Sequence, residues 1–427
     1  MNKIKINKID EEIYHETLDN GLNVYIYKKE GFLKKGAFFA TNYGSAINDF
    51  KPIDEEDIRS FPHGIAHFLE HKLFESNDNE KTFEKFSKYG ADVNAYTNHH
   101  ITNYYFSTID NFDKCLVELL DFVQTPHFTD ENVEKEKGII NQEINMTSDN
   151  IDRLVFEEAY DAALLINPNK YKTIGEKESV NKITKEDLYK CYNTFYHPSN
   201  MMLFIYGDID PDKTLNIVKK NQDKKKFIKA GKIKIKKYIE DNKVNKKEVH
   251  INRNVSIPRV MTCYKIKIPF LKKQDKFKKT LFVNMLLDIK FGGASSFEKD
   301  LVKKGIIEDY IGYTSSLFDD VILIFIEAKT KFKDKFIKEI DKKIKEEELN
   351  EKIFILNKNT YITSLVRIYE NPSMVGNVII SNLNKYKMII NDVYDIYENF
   401  TYSDFKLEFS KLNFDNKSII YVSNKEE

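Results

Sequence analysis

The chain has 427 residues, 41% hydrophobic and 31% charged, with Lys plus Arg and Asp plus Glu both at 67. That length exceeds one ordinary core, so two or more domains are expected, and the composition excludes a disordered chain. The balanced charge excludes a net field that would recruit nucleic acid or an anionic membrane, and the longest apolar runs, such as VILIFI at 321–326, fall far short of the ~20 residues a bilayer span needs.

In chain order, the segments 22–28 (LNVYIYK) and 36–42 (GAFFATN) read as strands, with DNG before the first as a turn. The opening MNKIKINKIDEE has no apolar run and is not a secretory signal. A short helix is expected over 64–75 behind Pro62, and a second over 82–89 closed by Gly90. Residues 93–107 read as a hairpin whose two arms flank TNHH. Helices follow over 113–123 and over about 130–163, the latter capped by Asp130 and broken near Ser148. Residues 185–195 are helical, and 201–206 (MMLFIY) form a strand stopped by Gly207. The stretch 219–247 carries thirteen lysines against three acids. With arginine absent and aromatics sparse there, it reads as a solvated linker rather than a nucleic-acid patch. Strand-like and helical segments then alternate to the end without a second histidine cluster, and no internal repeat stands out. The expected division is 1–218, a linker at 219–247, and 248–427. Cys115, Cys191 and Cys263 are an odd number at wide spacing, read as reduced packing residues, so the chain reads as cytoplasmic.

HGIAHFLEHKLFE, residues 63–75, spends three of the nine histidines of the chain on thirteen residues. On a helix His67 and His71 are four apart and share one face, so both imidazoles can converge on one Zn²⁺. Glu70 lies on the flank of that face, and H-x-x-E-H is the inverted form of a metalloprotease signature. Such a pattern arises by chance in roughly 1–2% of chains like this one, so a third ligand is needed. Glu136 and Glu143 are seven apart on one stripe of a helix, with Ile139, Ile140 and Ile144 beside them. Spacing alone does not choose between these two carboxylates. Glu131 and Glu134 read as an ordinary acidic surface.

Here the sequence resembles the insulinase/pitrilysin-like zinc peptidases, the family that includes the mitochondrial processing peptidases. The resemblance rests on HGIAHFLEHKLFE, GADVNAYTNHHITNYYFS, ENVEKEKGIINQEI and ITKEDLYKCYNTFYHPSNMMLFIYGDI, in the family's order. It covers most of residues 15–210 and is similar to a bacterial, YmfH-like branch of comparable length. It implies an α+β fold of two similar domains, antiparallel-rich sheets packed by helices, forming a clam-like half. It implies one Zn²⁺ per chain held by His67, His71 and Glu143. Glu70 would then be the general base, with Glu136 serving catalysis from behind the ligand set. Asn94, Ala95 and Tyr96 would lie on the strand that pairs with an extended peptide substrate. His63 precedes the helix and matches no family ligand. His99 and His100 read as exposed turn residues and His197 as structural.

One departure stands out. Peptide-cleaving members of the family draw an Arg and a Tyr, seven apart, from the second half. In GGASSFEKDLVKKGIIEDYIGY, residues 292–313, Val302 stands where the arginine is expected, with Tyr310 and Tyr313 near the tyrosine position. The expected function is a zinc endopeptidase working with a paralogous subunit that lacks H-x-x-E-H, or as a homodimer. The competing expectation is a metal-retaining, weakly active or non-catalytic peptide-binding maturation factor, which the resemblance links to elongation factor P modification.

Overall fold

The segments NVYIYK, KGAFFAT and MMLFIYG offer no polar face, so a sheet built from them must be covered on both sides. A computed structural model describes residues 1–75 and 81–424, and it divides the chain into two units. The first is Met1–Thr147, Tyr171–Lys237 and Val366–Asn391; the second is Ser148–Lys170, Tyr238–Leu365 and Asp392 onward.

The first unit is built on ten strands: β1 (Asn2–Ile6), β2 (Glu11–Thr17), β3 (Asn23–Lys28), β4 (Lys35–Thr41), β5 (Asp49–Lys51), β6 (Arg59–Ser60), β7 (Ala91–Thr97), β8 (Thr102–Thr108), β9 (Met201–Gly207) and β10 (Lys234–Ile235). Seven form one sheet in the order β1-β2-β3-β9-β4-β8-β7, while β10-β5-β6 form a small second one. In the large sheet β3 and β9 run parallel and the other neighbours antiparallel. Val24, Ile26, Ala37, Phe39, Leu203 and Ile205 fill a core with the helices Ile65–Leu73 and Phe112–Val123. The opposite face carries Phe38 and Phe204, and there the helix Pro372–Tyr386 brings Gly376 so close that a Cβ would lie 2.5 Å from Phe38 Cε2 and 3.0 Å from Phe204 Cδ1.

The second unit has β11 (Glu248–Asn252), β12 (Arg259–Lys267), β13 (Gly312–Leu317), β14 (Val321–Lys329) and β15 (Lys417–Ser423), in the order β11-β15-β12-β14-β13. Only β11 and β15 run parallel in it. Numbered by appearance, this order is first, fifth, second, fourth, third. The strands β3-β9-β4-β8-β7 have the same order and the same directions. The repeat that the residues hide is thus present in topology, and the fold is α+β with two similar halves. Both faces of this sheet are covered as well. Val260, Tyr264, Ile322 and Ile324 pack with the helix Lys273–Phe291. Met261, Cys263, Leu323 and Phe325 pack with Leu154, Val155, Ala159 and Ala162 of the helix Ile151–Ala163.

That last helix corrects the expected division. The break near Ser148 is real, since Asp130–Ser148 ends there and Asn150 caps a new helix by accepting from the Arg153 N–H at 3.0 Å. The new helix belongs to the second unit, and the segment from Val366 to Asn391 belongs to the first. The chain therefore passes between units repeatedly rather than once. An apolar helix face needs a sheet to cover, and nothing in its own residues says which one. The lysine-rich stretch is also more ordered than a solvated linker. It includes the end of the helix Pro211–Asp223 and strand β10. Within it Glu240 is 1% exposed. Its carboxylate accepts the N–H groups of Leu165, Ile166 and Asn167 at 2.5, 3.2 and 2.8 Å and the Lys265 ammonium at 2.9 Å.

Removing one partner of a buried pair leaves an uncompensated charge, at a cost of about 3–5 kcal/mol. Glu240→Gln should therefore lower the melting temperature far more than Glu248→Gln, as thermal denaturation of the two variants would show.

Candidate metal centre

The histidine-rich segment becomes a helix at Ile65–Leu73, started by Gly64 in the left-handed region at φ 91°. A side chain there would be strained and would also meet Ile174 O at 2.5 Å, so glycine lets the helix begin against the neighbouring loop. Ile65, Phe68, Leu69 and Leu73 enter the core. His67 and His71 turn to another side, with ring centroids 4.6 Å apart. Lys72 is fully buried and ties this helix to the next. It pairs with Glu75 and donates to Asn132 O at 3.1 Å, in the helix Asp130–Ser148.

On that second helix Val133, Ile140 and Ile144 face the core, which rotates Glu136 and Glu143 toward the histidines. Glu143 places Oε1 3.8 Å from His67 Nε2 and Oε2 3.5 Å from His71 Nε2. One donor atom from each of the three residues lies within 4.8 Å of the others, the group among the described residues that could hold a metal ion. Tetrahedral zinc with bonds of about 2.0–2.1 Å sets its ligand atoms roughly 3.3 Å apart, so small side-chain movements suffice for a fit. The other nitrogen of His71, Nδ1, lies 2.9 Å from Glu136 Oε1. An ionised Glu136 makes Nδ1 the protonated nitrogen and leaves the Nε2 lone pair aimed at the site, the usual arrangement behind a metal-bound imidazole. Spacing could not separate the two glutamates. Here Glu143 faces both Nε2 atoms, whereas Glu136, 4% exposed, holds His71 from behind.

Glu70 is 8% exposed, and its Oε2 accepts the Thr97 hydroxyl at 2.6 Å. Burial pushes its pKa above the usual carboxylate value, as does Glu143, while Thr97 and His71 pull it back. For His71 burial opposes the charged form, yet the hydrogen bond and charge of Glu136, with Glu70 and Glu143 behind, hold its pKa above normal. Thr97 escaped the sequence reading, and its signal is its place at the end of the strand beside the histidine helix.

Asn94, Ala95 and Tyr96 lie on β7, at the edge of the sheet with β8 as its one strand neighbour. The other histidines singled out in the sequence contact groups outside the ligand set. His63 stacks on Tyr171 with centroids 3.7 Å apart, and burial depresses its pKa. His99 and His100 are half-buried rather than exposed, with His99 Nε2 3.4 Å from Tyr171 O. His197 Nδ1 accepts the N–H of Ser199 at 3.2 Å in a short turn.

The helix Lys273–Phe291 falls between the second and third strands of its sheet, as the histidine helix falls between β4 and β7. It has Asn284 and Asp288 four apart instead of two histidines. Asp288 accepts the hydroxyls of Tyr313 at 2.9 Å and Tyr361 at 2.5 Å, and Asn284 Oδ1 lies 3.1 Å from the Ser315 hydroxyl. Tyr313 is thereby engaged within its own unit, whereas Val302 and Tyr310 are 38% and 52% exposed.

An α+β duplication with an H-x-x-E-H helix and a glutamate from a following helix defines a class of metallopeptidase-like proteins. Residues 60–177 match the family model for insulinase (peptidase family M16), and 182–359 match the M16 inactive domain. The chain belongs to this insulinase family. It is 43% identical over 310 residues, 73% of this chain and 72% of the other, to a Bacillus subtilis protein described as an uncharacterised zinc protease, YmfH. It is 27% identical over 358 residues to a Rickettsia felis zinc protease, covering 78% and 79% of the two chains. An M16-like peptidase structure from Alicyclobacillus acidocaldarius matches with a TM-score of 0.92 at 30% identity, over 98% of this chain and 99% of that one. Among the described residues no helix is long and apolar enough to cross a membrane.

The raised pKa of His71 means that the native state holds a proton the unfolded chain releases first. In metal-free protein, the stabilisation from the His71–Glu136 pair is full below the unfolded value of about 6.5. It is lost as pH rises through the raised folded value. The melting-temperature difference between wild type and Glu136→Gln should therefore shrink as pH rises above about 6.5. A difference that stays constant would contradict this origin of the shift.

Proposed function

We propose that the chain is a zinc-dependent endopeptidase that binds one Zn²⁺ through His67, His71 and Glu143 and uses Glu70 as general base. The observation that carries this reading is Glu143 lying 3.8 and 3.5 Å from the two Nε2 atoms, with Glu70 on the same helix. A zinc ion held there would lower the pKa of water toward about 7 and polarise a peptide carbonyl. Glu70 would take the proton of the attacking water and return it to the leaving amine. Burial holds its pKa above the usual carboxylate value. Glu136 fixes the tautomer and ring orientation of His71. An extended peptide would add to the β7 edge along Asn94, Ala95 and Tyr96, gaining main-chain hydrogen bonds that do not depend on its sequence.

The departure at Val302 and the engagement of Tyr313 by Asp288 favour supply of the missing electrophilic groups by a second subunit, a paralogue without H-x-x-E-H or another copy of this chain. The same two features support the second reading, a metal-retaining peptide binder of weak activity with a role in maturation.

Purified protein should contain close to one zinc per chain, with Glu143→Gln losing most of it. Glu70→Gln should retain the metal and lower cleavage of a quenched peptide library by about 10²–10⁴-fold. Zinc-loaded protein that cleaves nothing, alone or with a co-expressed paralogue, would favour the second reading, and zinc-free protein would defeat both.

A further inference from the structure

Behind Glu70 lies a line of hydroxyl groups that the scheme above does not use. Thr97 closes β7 and Thr102 opens β8, and the two sit directly opposite each other in the hairpin. Thr97 donates to Glu70 Oε2 at 2.6 Å, the two threonine oxygens are 3.2 Å apart, and Thr102, fully buried, donates to the Tyr43 carbonyl at 3.0 Å. We propose that Thr97, backed by Thr102 and the Tyr43 carbonyl, is the positioning residue that holds the Glu70 carboxylate in line for proton transfer. The inference rests on the reading of Glu70 as general base.

The chemistry favours hydroxyls over other donors. Each carries one proton and two acceptor lone pairs, and its proton can rotate without any heavy atom moving. While Glu70 is a carboxylate, Thr97 gives it a hydrogen bond and Thr102 gives one to Tyr43 O. Once Glu70 has taken the proton of water on its other oxygen, Oε2 still accepts from Thr97 and Thr102 still donates to Tyr43 O. Each hydroxyl in the line keeps an acceptor in both states. No proton leaves the threonines, and the one Glu70 receives goes on to the leaving amine. A lysine in the place of Thr97 would add a positive charge that disfavours the protonated form, whereas the neutral hydroxyl adds none. A side chain without a hydroxyl would leave a carboxylate oxygen at 8% exposure without this partner.

The position couples two functions. β7 is the strand proposed to receive the peptide, and Thr97 is its last residue. A peptide paired with β7 and the base that activates water for its cleavage are therefore registered to the same piece of backbone. A misalignment of about 1 Å at such a site can cost on the order of 10²-fold in rate.

The test compares Thr97→Val, which keeps the shape and the strand preference, with Thr97→Ser, which keeps the hydroxyl. Zinc content, kcat and KM are measured beside wild type and Glu70→Gln, with Thr97→Ala as a smaller substitution should valine disturb the hairpin. The expected result is a kcat about tenfold to a hundredfold lower for Val and Ala, with zinc and KM unchanged and most of the loss restored by Ser. Wild-type kcat in the valine or alanine variant would overturn the inference and leave the base assignment standing. So would a Ser variant as slow as Val, or a loss confined to KM or to zinc. A zinc-loaded wild type without hydrolysis would overturn the base assignment and this inference together.

Discussion

The contact between His71 Nδ1 and the Glu136 carboxylate is the point on which the site depends, because it joins the two helices that must converge. His67 and His71 come with one helix and Glu143 with another, so the separation of their donor atoms is set by how those helices pack. Apolar residues bring the helices together without fixing rotation, since a hydrophobic contact has no direction. The hydrogen bond does have one. With the buried Lys72 reaching the Asn132 carbonyl, it sets both rotation and axial position. The same constraint gathers three carboxylates, Glu70, Glu136 and Glu143, near two imidazoles. Desolvation, with the charge of Glu143, raises the pKa of Glu70, and a divalent cation would offset the repulsion.

The two sheets show one design put to two uses. Counting the first from β3, each has its first strand parallel to its last, with a helix following the second strand, and each leaves its third strand at an edge. In the first unit that helix presents two histidines. In the second it presents Asn284 and Asp288, and Tyr313 and Tyr361 close on the aspartate where the first unit assembles its ligand set. The second arrangement satisfies its polar groups internally, which suits a structural role in a half that carries no metal-ligand group among its described residues.

How much of this was legible in the sequence depended on whether a feature is local. The histidine helix was readable because its chemistry requires particular side chains four residues apart. The helices at 185–195 and 112–123 and the two arms of the hairpin were readable from period and punctuation. The choice between Glu136 and Glu143 was not, because residues seven apart share a stripe and helix packing decides which of them meets Nε2. Family resemblance, rather than spacing, favoured Glu143. Strands β1 and β2 went unread because their alternation is diluted by charge at a sheet edge. The assignment of the helices Ile151–Ala163 and Pro372–Tyr386 to the more distant sheet was hidden for a similar reason. Thr97 was invisible because a threonine at a strand end is ordinary until the carboxylate beside it is known.

The helix that covers Phe38 and Phe204 has a bearing on biosynthesis. All of the candidate ligands precede residue 147, yet the sheet that supports them is covered on its second face by the late segment that includes Tyr369 and the helix Pro372–Tyr386. On the ribosome, the central strands are complete at Gly207, and one side of them stays bare until the segment at Pro372–Tyr386 has emerged. A product truncated before Pro372 would carry all three candidate ligands but leave Phe38 and Phe204 uncovered, an exposed apolar face of the kind that promotes aggregation.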